Sequence, residues 1–237
     1  EKLALIRKTC LEGTEGERMA IVQSDVFEYM LHQHIQDAGW FGAETESILP
    51  SIFDDMFNGT DLIIEQHVGR GAYAFSALGI DATFSAEGAV NKIEKTKKFL
   101  SEGRLGRVKY FKSERANFKG SIDSVPHFVI GLGRPALFEM LGQYVQKGAV
   151  KEGNQEARRM VLEQIIAQAR YFSDFLKAGR FNVEAERYEL VGHEMSKLLS
   201  LKINVVINLI LETVSFSHQK CVILITEVNQ ISTMLAI

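Results

Sequence analysis

The chain has 237 residues, 46% hydrophobic and 24% charged, which suits one large globular domain or a core with a helical extension. Its net charge of -3 gives no global sign of nucleic-acid binding, and two isolated cysteines, Cys10 and Cys221, argue against a disulfide framework or a zinc site. A reducing, cytoplasmic setting is the expectation that follows.

Residues 1–16 read as a short helix and loop. Residues 17–38 carry Met19, Val22, Val26, Met30 and Ile35 near helical spacing, with Gly39 as a natural stop. His32 and His34 lie two apart on that helix and cannot face each other, so a histidine metal pair is not expected there. Residues 40–57 read as loop and short helical turns, with Asp54 and Asp55 just before the turn signal Asn58-Gly59. Thr60 to His67 is the first predicted strand, with Asp61, Ile63 and Glu65 on one face. A turn at Gly69-Arg70-Gly71 leads to a second strand from about Tyr73 to Ser85, in which Gly79, Asp81 and Thr83 share a face.

A basic helix is expected over 87–103, with Val90, Ile93, Lys97 and Leu100 tracing one face and Lys92, Lys95 and Lys98 mostly elsewhere. Arg107 to Ser113 is a third strand and 114–124 a polar loop. Val125 to Leu132 (VPHFVIGL) is the most apolar strand and is expected to be central. Gly131-Leu132-Gly133 and Pro135 then open a helix; a GxG there could cradle a phosphate, or be a plain strand-to-helix turn. From Gln155 the pattern is helical, with a long amphipathic helix ending at Gly179 and another over Glu184 to Leu201. Leu198 to Val214 is apolar nearly all round but too short and interrupted for a membrane span. It suits a buried or oligomer-interface helix, and the form of residues 215–237 stays open. The expected architecture is α/β: a small mixed β-sheet flanked by helices over 1–150, then a mainly helical C-terminal portion over 151–237, possibly packed on the core as one domain.

Chemistry concentrates between Asn58 and Lys98. Two strands carry Asp61 and Asp81, and Lys92 follows early in the next helix. Two carboxylates can hold a hard cation such as Mg²⁺ or Mn²⁺, and a lysine can stabilise charge that develops on a phosphate. The plainer reading is a turn-capping Asp61 and an Asp81 paired with a surface lysine. Between Lys92 and Lys119 there are ten Lys/Arg against three acids, Glu94, Glu102 and Glu114. Such a stripe can follow a phosphate backbone, or be a solvated helix face and a lysine-guarded edge strand.

The order helix, strand with acid, strand with acid, helix, strand resembles the core of the PD-(D/E)XK nuclease superfamily over roughly residues 17–132. Gly59-Thr60-Asp61 stands where that family has Pro-Asp, and Asp81-Ala82-Thr83 where it has (D/E)xK. Thr83 holds the place of the family's lysine, which some members supply from the following helix, here Lys92 with Lys95 behind it. The resemblance implies a restriction-endonuclease-like core and a metal-dependent nuclease acting on DNA. Asp61, Asp81 and Lys92 would be catalytic, and Asp61 and Asp81 would bind metal, with Glu65, Asp55 or Glu28 as further acids. Lys95, Lys98, Arg104, Arg107, Lys109 and Lys112 would hold phosphates. The rival expectation is a non-catalytic nucleic-acid-binding or oligomeric interaction protein, a homo-oligomer through its C-terminal helices, on the same fold. A nucleotide-binding protein using Gly131 to Gly133 is a third.

Overall fold

A computed structural model describes residues 13–68, 74–83, 86–147 and 154–215. The predicted turn at 69–71, the expected boundary between 150 and 151 and the apolar run 221–225 lie outside the described residues. The chain divides into two compact units, residues 1–196 and 197–237. In the second unit the backbone is helical as far as Ser215.

The first unit is mixed α/β. Helix α1 (Glu15–Gln36) leads to a four-residue strand β1 (Thr45–Ile48) and a five-residue π-turn, Asp54–Asn58. Strands β2 (Leu62–Val68) and β3 (Ala74–Thr83) follow, then helix α2 (Ala86–Leu100). The hairpin strands β4 (Gly106–Ser113) and β5 (Phe118–Val125) come next, then β6 (His127–Gly131) and helices α3 (Arg134–Lys147), α4 (Gln155–Ala178) and α5 (Asn182–Ser215).

The main sheet runs β1-β2-β3-β6, antiparallel except for the parallel pair β3–β6. β4 and β5 form a separate two-stranded sheet. Ile63 of β2 packs with Val108, Phe111 and Val125 of that ribbon, all at most 4% exposed, and Ile48 and Ile122 close the cluster. Each such side chain contributes about 1.5–3 kcal/mol by leaving water.

Three elements depart from the expectations. β1 forms where a loop was expected, because Thr45-Glu46-Ser47-Ile48 pairs with the free edge of β2. β5 forms where a polar loop was expected. A turn at 114–117, with Asn117 at φ 48°, folds the chain back. A ribbon wet over most of its surface needs no clean apolar alternation, so Phe118-Lys119-Gly120-Ser121-Ile122-Asp123 does not read as a strand. β6 is not central but ends the sheet.

That edge is nevertheless closed. Gln168 of α4 accepts from the Val129 N–H at 2.9 Å and donates to the Val129 carbonyl at 2.7 Å. Gln164 does the same for Gly131, at 2.8 and 2.9 Å. Two glutamine side chains thus replace a neighbouring strand, which is why so apolar a segment can end a sheet without inviting edge pairing. They also pack α4 onto the sheet inside the first unit.

Two amides of the Gly131–Gly133 segment are engaged. The Gly131 amide is held by Gln164, and the Leu132 amide points to Thr83 O at 3.3 Å. The segment forms the strand-to-helix turn between β6 and α3. Among the described residues no helix is long and apolar enough to cross a membrane.

Candidate functional site

The site starts from the pairing of β2 with β3. Leu62 faces Ile80, and the Asp61 amide donates to Ile80 O at 2.8 Å, so Asp61 and Asp81 come to the same end of the two strands. The Asp61 Oδ2 accepts the Ala82 amide at 2.6 Å, which ties its carboxylate across to β3.

The next helix supplies the cation. Lys92 lies one and two turns before Thr96 and Leu100, and Leu100 is buried, so this stripe turns inward. Val90, expected on the packed face, is instead 59% exposed. The Lys92 Nζ donates to Asp81 Oδ1 and, at 2.5 Å, to the Ala82 carbonyl, and lies 4.0 Å from Asp61 Oδ2. Two carboxylates and one carbonyl therefore converge on a single ammonium. Gly59 makes room beside it. It sits at φ 66°, where a side chain is disfavoured, and a Cβ would meet Lys95 Nζ at 3.4 Å and Asp81 Oδ2 at 3.5 Å. Lys95, expected among the phosphate contacts, thus also borders the Asp81 carboxylate.

The surroundings set the proton affinities. Asp61 is 9% exposed; burial, then the charges of Asp81 and Glu28, push its carboxyl up to about 8 against the opposing pull of Lys92 and the Ala82 amide. Glu28 of α1 is pushed up to about 7, first by burial, with Asp55 and Asp25 adding to it and the Ser24 hydroxyl and Lys92 opposing. Acids held near neutrality around a lysine are a pattern of functional sites.

His127 completes the cluster, and nothing in the sequence analysis singled it out. Its ring lies so close to Gly79 that a Cβ there would approach to 2.7 Å, and its Nε2 is 3.3 Å from the Thr60 hydroxyl. Burial lowers its pKa, Asp81 opposes, and Lys95 and Lys92 lower it further, so the imidazole is neutral. The Tyr188 hydroxyl accepts from the His127 amide at 3.2 Å and donates to its carbonyl at 3.3 Å. The available signal was a lone titratable residue inside VPHFVIGL.

Other expected residues fall elsewhere. Glu65 is fully buried and accepts from the Ser113 hydroxyl at 2.9 Å, so it faces β4 rather than the Asp61–Asp81 rim. Asp55 is exposed on the π-turn, and its charge helps to raise the Glu28 pKa. Among the basic residues, Arg104 pairs with Glu102 at 2.5 Å, Arg107 with Asp123 at 2.9 Å and Lys112 with Glu114 at 2.9 Å. Lys109 lies over the rings of Phe53 and Tyr110, 4.7 and 5.2 Å from their centroids. Lys98 is exposed in the last turn of α2.

Among the described residues no three His, Cys, Asp or Glu side chains gather as a metal-holding group. Two carboxylates and a carbonyl nevertheless make an all-oxygen donor set that already surrounds one cation, which suits a hard divalent ion retaining several waters. No family model, curated protein or solved structure matches the chain, so its function has to be read from this geometry.

Proposed function

We propose that this protein hydrolyses phosphodiester bonds of DNA at the Asp61–Asp81–Lys92 centre, with Mg²⁺ or Mn²⁺ as cofactor. The observation that carries the reading is Lys92 reaching both aspartates from the helix that follows them. Asp61, Asp81 and the Ala82 carbonyl would hold the cation. The chemistry it supplies is neutralisation of phosphate charge and acidification of water. Lys92, whose ammonium occupies these oxygens here, would move aside for the cation and set its positive charge where the pentacovalent phosphate would gain negative charge. Glu28, whose charge acts on Asp61 and which Lys92 acts on in turn, would take the proton released as the attacking water forms its P–O bond and the bond to the leaving oxygen breaks. Lys95 borders the same carboxylate and extends the positive field toward the substrate.

The test is plasmid cleavage with Mg²⁺ or Mn²⁺, wild type against Asp81→Ala and Lys92→Met. Loss of cleavage in both is the expected result. Equal rates in wild type and Asp81→Ala would remove Asp81 from the mechanism.

A non-catalytic nucleic-acid-binding reading draws on one observation: the Lys92 ammonium already occupies the oxygens that a divalent ion would need. It predicts binding without cleavage under every divalent ion.

A further inference from the structure

A cavity of about 520 Å³ opens beside the centre. Its walls include Phe57 and Asn58 from the π-turn, Thr96 and Phe99 from α2, and Arg104 and Arg107 from the approach to β4. His127 and Tyr188 also line it, so the cavity shares a wall with the Asp81 cluster. Its size falls in the range that holds a nucleotide-sized ligand.

The aromatic residues around it are unusually bare. Phe57 is 59% exposed, Phe99 41% and Tyr110 56%. They are also ordered against one another. Phe57 stacks on Phe53 with centroids 4.8 Å apart, and Phe53 meets Tyr110 edge-on at 5.5 Å. Cations are interleaved with the rings. The Arg104 guanidinium lies 5.1 Å from the Phe99 centroid, and the Lys109 ammonium lies over Phe53 and Tyr110. Bare rings beside cations offer faces for stacking and charge for a polyanion.

We infer that an unpaired stretch of DNA runs along this surface and through the cavity, its bases stacking on Phe57 and Phe99 and its phosphates meeting Arg104, Arg107 and Lys109. The substrate thus reaches the centre as a single strand. This rests on reading the Asp61–Asp81–Lys92 centre as a phosphodiesterase. Ring faces can be covered only by bases that have left a duplex stack, because a duplex offers base edges in its grooves and hides the faces. The pairs Arg104–Glu102 and Arg107–Asp123 are exposed and separate at little cost, so phosphates can replace the carboxylates.

The test is fluorescence anisotropy with the full chain in chelator, using a labelled oligothymidine and a duplex hairpin of equal charge. The expected result is tighter binding of the single strand by wild type. Phe57→Ala/Phe99→Ala should weaken it about tenfold or more, as loss of base stacking does, and leave duplex binding nearly unchanged. Arg104→Glu should weaken single-strand binding and flatten its salt dependence. Thermal melts confirm that each variant is folded, and Phe57→Leu serves if the double variant is not. Equal losses for both probes, or no loss, overturn the inference, as does wild type that binds neither probe. Cleavage by Asp81→Asn is measured in parallel. Its loss alongside unchanged single-strand binding by the aromatic variants would sink this inference alone. Its persistence alongside the aromatic losses would sink the centre alone.

Discussion

Asp54 and Asp61 lie close in sequence and are both buried, yet the molecule treats them in opposite ways. Asp54 has no exposed surface and receives four donors: the Lys109 amide at 2.7 Å, the Tyr110 amide at 2.9 Å, the Ser51 hydroxyl at 2.7 Å and the Asn58 amide at 2.7 Å. Burial pushes its carboxyl up, but the four bonds outweigh it and hold the group below the usual range. Asp61 receives one backbone amide and faces two acids and a lysine. Asp54 is a rivet joining the π-turn to β4. Asp61 gives up its proton only at a cost, which makes sense where a cation is meant to arrive.

The largest effect should come at the functional end. Asp81→Ala is expected to lower Mg²⁺-dependent cleavage by about 10³-fold or more, equivalent to about 4 kcal/mol of transition-state stabilisation. Asp54→Ala is expected to leave cleavage chemistry intact in whatever fraction stays folded. Its cost is stability, about 3 kcal/mol, because the Lys109 and Tyr110 amides and two side chains lose their shared acceptor. A urea titration reads this as a lower midpoint at unchanged slope. If Asp54→Ala proved harmless to stability, the contrast between the two acids would collapse.

The parts of this contrast differed in how well the sequence displayed them. Asp61 and Asp81 were readable because neighbouring antiparallel strands place them, and register does the rest. Lys92 was nameable from its place in the next helix, but its direction was not. Of the expected face Leu100 is buried and Val90 exposed, and Lys92 shares the inward stripe through Leu100. His127 was missed because it arrives by a long parallel crossover that sets it beside Gly79. The same crossover, edged by Gln164 and Gln168, made VPHFVIGL look central. β5 was missed because a wet ribbon lacks alternation. Glu65 shares strand parity with Asp61, yet parity does not say how far along the strand a site extends, and Ser113 takes its carboxylate.

The two acids also differ in the sign of their pH dependence, measured in chelator. Asp61 titrates near 8 when folded and near about 3.9 when unfolded. Between those values the folded state holds a proton that the unfolded state has lost. Asp61 therefore lowers stability as pH rises through that window. Asp54 is depressed when folded, so its contribution is present above about 3.9 and fades as pH falls below it. Asp61→Asn should stabilise the metal-free protein at pH 7–8 by on the order of 1–2 kcal/mol while abolishing cleavage. Melts of wild type and variant across pH 4–9 check this; parallel curves would show that Asp61 does not titrate in that window.

The smallest effect sharpens the comparison most. A cation that binds only the folded site stabilises it by mass action, about 1.4 kcal/mol at ten times its dissociation constant. The increment should appear in wild type as a rise in melting temperature on adding Mg²⁺. It should persist in Asp54→Asn, which weakens the rivet but leaves the Asp61 and Asp81 carboxylates in place. It should vanish in Asp61→Asn, which removes one of the two anionic ligands. Because Asp61 must lose its proton to bind, the wild-type increment should also grow from pH 6 to pH 8. A Mg²⁺ increment that survived Asp61→Asn, or that was flat with pH, would place the cation elsewhere and leave Lys92 as the only positive charge between the two aspartates.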